Sequence, residues 1–298
     1  MNVVVGGHRD VVASAPIHRS IGTGRARWYA RHQIVIYLVL AFGLSWWSWP
    51  LAALSPNSTP MVSFGPIIAA VVATALVGRR RGLRLLLRAA VQWRVPWSQY
   101  VIALAGPFVL AGVAVAAAVG FGVVEASHLR DNLGWSTWRA VPVLLLTTAL
   151  LGGPMFEEVG WRGFLLEKLQ RRRGALLSTA VVGVIWVSWH LPLLVSDPSG
   201  QRPIGPFLVW TLAECVLLTW IYNISSGSIM MAILFHAAAN VAGRLLLEPV
   251  LGADGFLTLW WLMAAGYALA AVIVITRTQG HLGTDTSRSL ASTDHASN

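Results

Sequence analysis

Phe156-Glu157-Glu158-Val159-Gly160-Trp161-Arg162-Gly163 sets two adjacent carboxylates and an arginine into a run of apolar residues. On a soluble helix this octapeptide would be an ordinary charged face. At membrane depth an ionisable group costs on the order of a few kcal/mol or more, so the same residues become a candidate functional site by default. The surrounding composition decides between the two. The chain is 56% apolar and 11% charged, with mean hydropathy +0.64, whereas a soluble domain carries roughly 25% charged residues. It therefore reads as an all-α, polytopic integral membrane protein.

Outward from the octapeptide, an apolar run from about Gln33 to Leu54 opens the series. It exceeds the roughly 7–15 residues of a signal-peptide core, so it reads as an uncleaved first span although Leu51-Ala52-Ala53 resembles a cleavage site. Trp46, Trp47 and Trp49 would lie at its far interface. Further runs at 61–78, 99–124, 139–156, 175–195, 206–224, 228–247 and 256–276 each approach the roughly 20 residues that cross a bilayer, giving about eight transmembrane helices. The expected organisation is a disordered cytoplasmic tail over 1–32, a membrane domain over 33–276 and a disordered tail over 277–298. No internal repeat is visible, which gives no support to a transporter built from two inverted halves.

The net charge of +10 follows from topology. Eighteen of the 22 Lys and Arg residues fall in the first tail, around Arg79–Arg94, from Arg162 through Arg173, and in the last tail, against Arg130, Arg139, Arg202 and Arg244 elsewhere. Short cytoplasmic segments hold such an excess, so both termini are expected in the cytoplasm of a cell whose plasma membrane the chain spans. Arg79–Arg94 reads as a membrane-surface segment in contact with lipid. The arginines form no stripe interleaved with aromatics, so no nucleic-acid partner is expected. The single cysteine, Cys215, excludes a disulfide framework and a cysteine-rich metal site, and reads as a small buried hydrophobe.

Three further polar positions interrupt the apolar runs: His190, and His236 with Asn240. Glu158 and Arg162 are i and i+4, as are His236 and Asn240, so each pair shares a helix face. If the chain reverses near Arg171–Gly174, the glutamates and His190 lie roughly 22 and 26 Å from that turn along antiparallel helices. His236 and Asn240 lie on the order of 15–21 Å from a turn at Ser225–Gly227 on the same side. Three helices can then meet at one buried polar cluster. A straight helix from Arg139 to Arg171 would be about 48 Å long, too much for a hydrocarbon core of about 30 Å, so Gly152-Gly153-Pro154 is expected to break it. The break would place Glu157 and Glu158 near a helix N-terminus, where the dipole favours anions.

A carboxylate beside a histidine can take a proton from water, and His and Asn can donate to a developing oxyanion. The same groups could instead hold a divalent metal such as zinc through Glu157, His190 and His236, with water in the open position. Both routes lead to hydrolysis of an acyl or peptide bond. His-Glu-x-x-His, Gly-x-Ser-Gly and Gly-x-Gly-Asp are all missing from the sequence. Ser188 lies two residues before His190, on a different helix face, and is disfavoured as a nucleophile. Glu214 reads as structural.

Glu-Glu-x-x-x-Arg, then aromatic-x-x-x-His, then His-x-x-x-Asn in successive regions resembles the CPBP family of intramembrane proteases, which includes the type II CAAX prenyl proteases (Rce1-like) and bacterial Abi proteins. The resemblance covers about 140–245. It implies a conical intramembrane catalytic cavity, with Glu157 as the base acting on water, Glu158 supporting it and Arg162 holding a carboxylate. His190 would assist water activation, while His236 and Asn240 would bind the oxyanion. The family's enzymes are described both as metalloproteases and as metal-free glutamate enzymes. Where the second motif usually begins with Phe, this chain has Trp186, a departure that bears on substrate fit. The expected function is an intramembrane endopeptidase acting on a membrane-associated peptide or protein, lipidated if it follows the prenyl-protease subgroup. The competing expectations are a non-catalytic Abi-type immunity or scaffold protein and, behind it, an ion or proton transporter.

Overall fold

The computed structural model describes residues 24–52, 54, 59–127, 134–197, 200–247, 249 and 254–284. Among them there is no strand, and the order of helices is α1 Gly24–Trp46, α2 Trp49–Ala52, α3 Gly65–Ala90, α4 Trp97–Gly120, α5 Trp135–Leu151, α6 Pro154–Gly160, a π-helical turn Trp161–Leu166, α7 Glu167–Gln170, α8 Ala175–Trp189, α9 Leu191–Val195, α10 Ile204–Ile224, α11 Ile229–Leu247 and α12 Phe256–Arg277. The molecule is an all-α, polytopic membrane protein.

Every expected apolar run is helical, but fewer meet the demands of a span. Among the described residues Arg27–Ala52, α4, α10, α11 and α12 are long and apolar enough to cross a bilayer. The pair Ser136–Leu151 and Pro154–Gln170, bent by 46°, makes a sixth span if it counts as one. The runs expected at 61–78 and 175–195 fall short for identifiable reasons. In α3 only Gly65–Gly78 precedes the arginines, and Arg79 (φ 47°, ψ −144°) interrupts the helix there. In α8 the helix holds 15 residues, because Pro192 has no N–H to continue the ladder and the chain restarts as α9.

Both expected tails are shorter than their composition implied. Helix α1 begins at Gly24, so 24–32 form its first turns, and residues 1–23 lie outside the described set. At the other end Leu282 is fully buried and its carbonyl accepts from Asn223 Nδ2 at 3.0 Å, which fastens 278–284 back onto α10. Residues 285–298 lie outside the described set. The stretch Arg79–Arg94, expected at the membrane surface, continues as helix to Ala90 with Leu85 and Leu87 exposed.

Packing uses small residues where helices cross closely, as apolar solvent requires. Ala41 on α1 and Gly65, Ala69, Ala70 and Ala73 on α3 are all buried, and Ala41 meets Gly65 directly. A Cβ at Gly65 would sit 2.4 Å from the Ala41 carbonyl oxygen. Hydrogen bonds then tie matching ends together. At the arginine-rich end Gln92 Nε2 donates to Ser225 O, Gln99 Nε2 to Ile224 O and Ser228 Oγ to Gln92 O, joining the α3–α4 and α10–α11 turns. At the opposite end Trp46 Nε1 donates to Trp189 O and Trp49 Nε1 to Ser196 Oγ, which is where these tryptophans were expected. The bend at Gly152–Gly153 sits between the two ends and begins α6.

Candidate active site

Helix α6 starts at a backbone that only glycine adopts readily: Gly153 has φ +118°. Pro154 follows at the first helical position, where its missing N–H costs nothing. Glu157 falls in the first turn and its N–H bonds Gly153 O at 2.9 Å. A π-helical turn then begins at Trp161; such local widening recurs at functional sites. It carries Arg162 inward, and that side chain is fully buried.

The two glutamates have different surroundings. Glu158 Oε1 accepts from Arg162 Nη1 at 2.9 Å, with both side chains fully buried, and lies 2.9 Å from His236 Nδ1 on α11. A cation and an imidazole thus meet one carboxylate oxygen. Glu157 is 5% exposed, and its Oε2 accepts from Trp186 Nε1 at 2.8 Å. Its other oxygen points at Gly153: a Cβ there would sit 2.8 Å from Glu157 Oε1. Glu157 is therefore held by a neutral donor alone, and Glu158 by a charged network.

Trp186 on α8 joins the whole set. Its ring centroid lies 5.6 Å from His190 and 5.3 Å from His236, and Arg162 Cζ sits 4.8 Å from the ring, within the range of a cation–π contact. His190 caps α8 at its C-terminus, at the break before α9, where Nδ1 lies 2.9 Å from Trp186 O. A ring nitrogen facing a carbonyl must carry the proton, which leaves His190 Nε2 as an acceptor. Trp189 and Phe207 pack edge-on to the same imidazole.

Glu157, Glu158, Arg162, His190 and His236 are thus brought together from α6, the π turn, α8 and α11. Asn240 lies one turn beyond His236, half-buried, and among the described residues its side chain makes no hydrogen bond. Three further side chains join the cluster, of which the sequence singles out Trp186 and Glu214 but not Tyr37. Trp186 read as a wall residue, yet its N–H is the donor to Glu157. Glu214 on α10 is buried, with Oε1 unpartnered and His236, Glu158 and Arg162 within electrostatic reach. Tyr37 on α1 stacks on Phe164 and touches Trp161 edge-on. Glu214 stands out in the sequence as a polar group in an apolar run that could line the cavity or serve a structural role, whereas nothing in the spacing marks Tyr37; only tertiary packing does.

Among the described residues no three His, Cys, Asp or Glu side chains gather as a ligand group. His190 Nδ1, His236 Nδ1 and Glu157 Oε2 are each engaged by protein atoms. Among the described residues Glu157, His190 and His236 are not gathered as the expected ligand triad.

A family model described as Type II CAAX prenyl endopeptidase Rce1-like matches residues 138–242, the stretch from α5 through α11 that carries the cluster. Over 133 residues the chain is 34% identical to CAAX prenyl protease 2 of Methanococcus maripaludis. That match covers 42% of this chain and 48% of the relative, so the chain spans about half the length of the curated relative it matches.

Proposed function

We infer that this chain, whose residues 138–242 match the Rce1-like family model, is an intramembrane endopeptidase hydrolysing a peptide bond of a membrane-associated peptide or protein. One observation carries the mechanism: Glu158 is neutralised by Arg162 and oriented against His236, while Glu157 has only an indole N–H. Glu157 then takes the proton of the attacking water, assisted by His190 through Nε2. The water oxygen bonds the carbonyl carbon and the carbonyl oxygen becomes an oxyanion. Glu158 accepts from His236 Nδ1–H and fixes the ring, and in its doubly protonated, imidazolium form His236 also carries a proton on Nε2 that donates to the oxyanion, with Asn240 as a second donor. Collapse breaks the C–N bond as Glu157 returns its proton to the leaving amine.

The relative's name supplies the first substrates to assay, peptides with a prenylated cysteine near the C-terminus, beside the same peptides without the lipid. The positive-inside bias supports an orientation with the arginine-rich end, and both termini, on the cytoplasmic side of the plasma membrane.

Glu157→Gln removes the base and keeps the shape. Loss of about 10²–10⁴-fold in kcat is expected, the range of general base catalysis, with the melting temperature unchanged. Glu158→Gln should lose stability as well, because Arg162 is left buried without its counter-charge at about 3–5 kcal/mol. Cleavage at the wild-type rate by Glu157→Gln would sink the assignment.

A further inference from the structure

We propose that the arginine-rich end of α1 and α7 forms a binding site for the headgroup of an anionic phospholipid, an inference that does not depend on the protease reading. A cavity of about 170 Å³ between these helices is lined by Arg31, Lys168, Arg171 and Arg172, with Ala30, Gln33 and Ile34. A second cavity of about 260 Å³ is lined by Arg27, Trp28 and Gly24, and Arg31 lines both. Five cations thus border two adjacent cavities that share Arg31.

Their charge is not balanced by protein. Glu167 pairs with Arg171 and, at 3.4 Å, with Lys168. Arg27, Arg31 and Arg172 form no ion pair among the described residues. Like charges converge on this cleft at a cost unless an anion shares it, and a phosphate diester presents oxygens that match guanidinium donors.

The shape below the cleft selects a lipid over a free anion. Arg27, Arg31, Val35 and Val39 are spaced by four, so they descend one side of α1. Val35 and Val39 are 59% and 67% exposed. Cations therefore stand directly above an uncovered aliphatic stripe, the order of headgroup and acyl chains in a leaflet. Trp28, 53% exposed and stacked on His32, lies level with the arginines, the depth at which tryptophan favours a membrane interface. Basic pockets between membrane helices at this level take anionic headgroups.

The test uses the full chain in detergent micelles, with native mass spectrometry of retained lipid and thermal melting. Phosphatidylglycerol should be retained about tenfold over phosphatidylcholine and raise the melting temperature. Arg31→Gln with Arg172→Gln should abolish that preference while melting without lipid stays unchanged; Arg139→Gln, at the other end of the bundle, should retain it. Equal retention of the two lipids overturns the proposal, as does a preference that survives the double variant or is lost equally in Arg139→Gln. Protection by inorganic phosphate equal to that by phosphatidylglycerol would assign the cleft to a free anion and overturn the lipid.

Discussion

At Trp186 one N–H separates a wall residue from a positioning residue. Phe would fill nearly the same space between His190, His236 and Arg162, yet it could not donate to Glu157 Oε2. A hydrogen bond to a charged group is worth about 1.5–3 kcal/mol, so Trp186→Phe should lower kcat by roughly ten- to a hundredfold, with KM little changed and melting shifted by a few degrees at most. Steady-state kinetics beside thermal melting reads both; an unchanged kcat would return Trp186 to a packing role. The residue also shows where sequence reading stops. Glu157, Glu158, Arg162, His190 and His236 stand out as polar groups in apolar runs, and the Glu158–Arg162 pair follows from a spacing of four. An indole N–H in an aromatic-rich span carries no such signal, because its partner lies 29 residues away. Tyr37 is hidden in the same way.

At the scale of the element, the break at Gly152-Gly153-Pro154 governs the site. A length argument alone requires it, since an unbroken helix could not fit the hydrocarbon core. Its consequence for Glu157 comes from the coordinates: Gly153 turns the chain at φ +118° and leaves room for Oε1. Gly153→Ala should therefore fail twice. The backbone conformation costs on the order of 1–3 kcal/mol for a residue with a side chain, and its Cβ would lie 2.8 Å from the carboxylate oxygen. Lower melting temperature and loss of cleavage are expected together. Gly152→Ala, with a φ of −91°, has no such backbone strain. Its Cβ would approach Thr148 O at 2.8 Å, so it should destabilise without displacing Glu157. The short reach of α8 was not legible from hydropathy, since the apolar run continues through Pro192 and only the missing N–H ends the helix at His190.

For the whole molecule, the ends of the helices are sorted before any membrane is considered. The turn at 91–96, the turn at 225–228 and the segment 278–284 are tied by hydrogen bonds at one end, and Trp46, Trp49, Trp189 and Ser196 meet at the other. Counting arginines along the chain reaches the same partition, because each apolar run of about 20 residues returns the chain to the opposite face. What counting could not separate is a helix that crosses from one that only packs, as α3 and α8 show. Both routes place Arg80 and Asp254, each exposed, on opposite faces. Cys215 is fully buried, so the natural thiol should stay dark to a membrane-impermeant maleimide in intact cells. Asp254→Cys should then label directly, and Arg80→Cys only after permeabilisation. Labelling of Arg80→Cys in intact cells would reverse the orientation and with it the leaflet assigned to the α1–α7 cleft, while labelling of both without permeabilisation would overturn the partition itself.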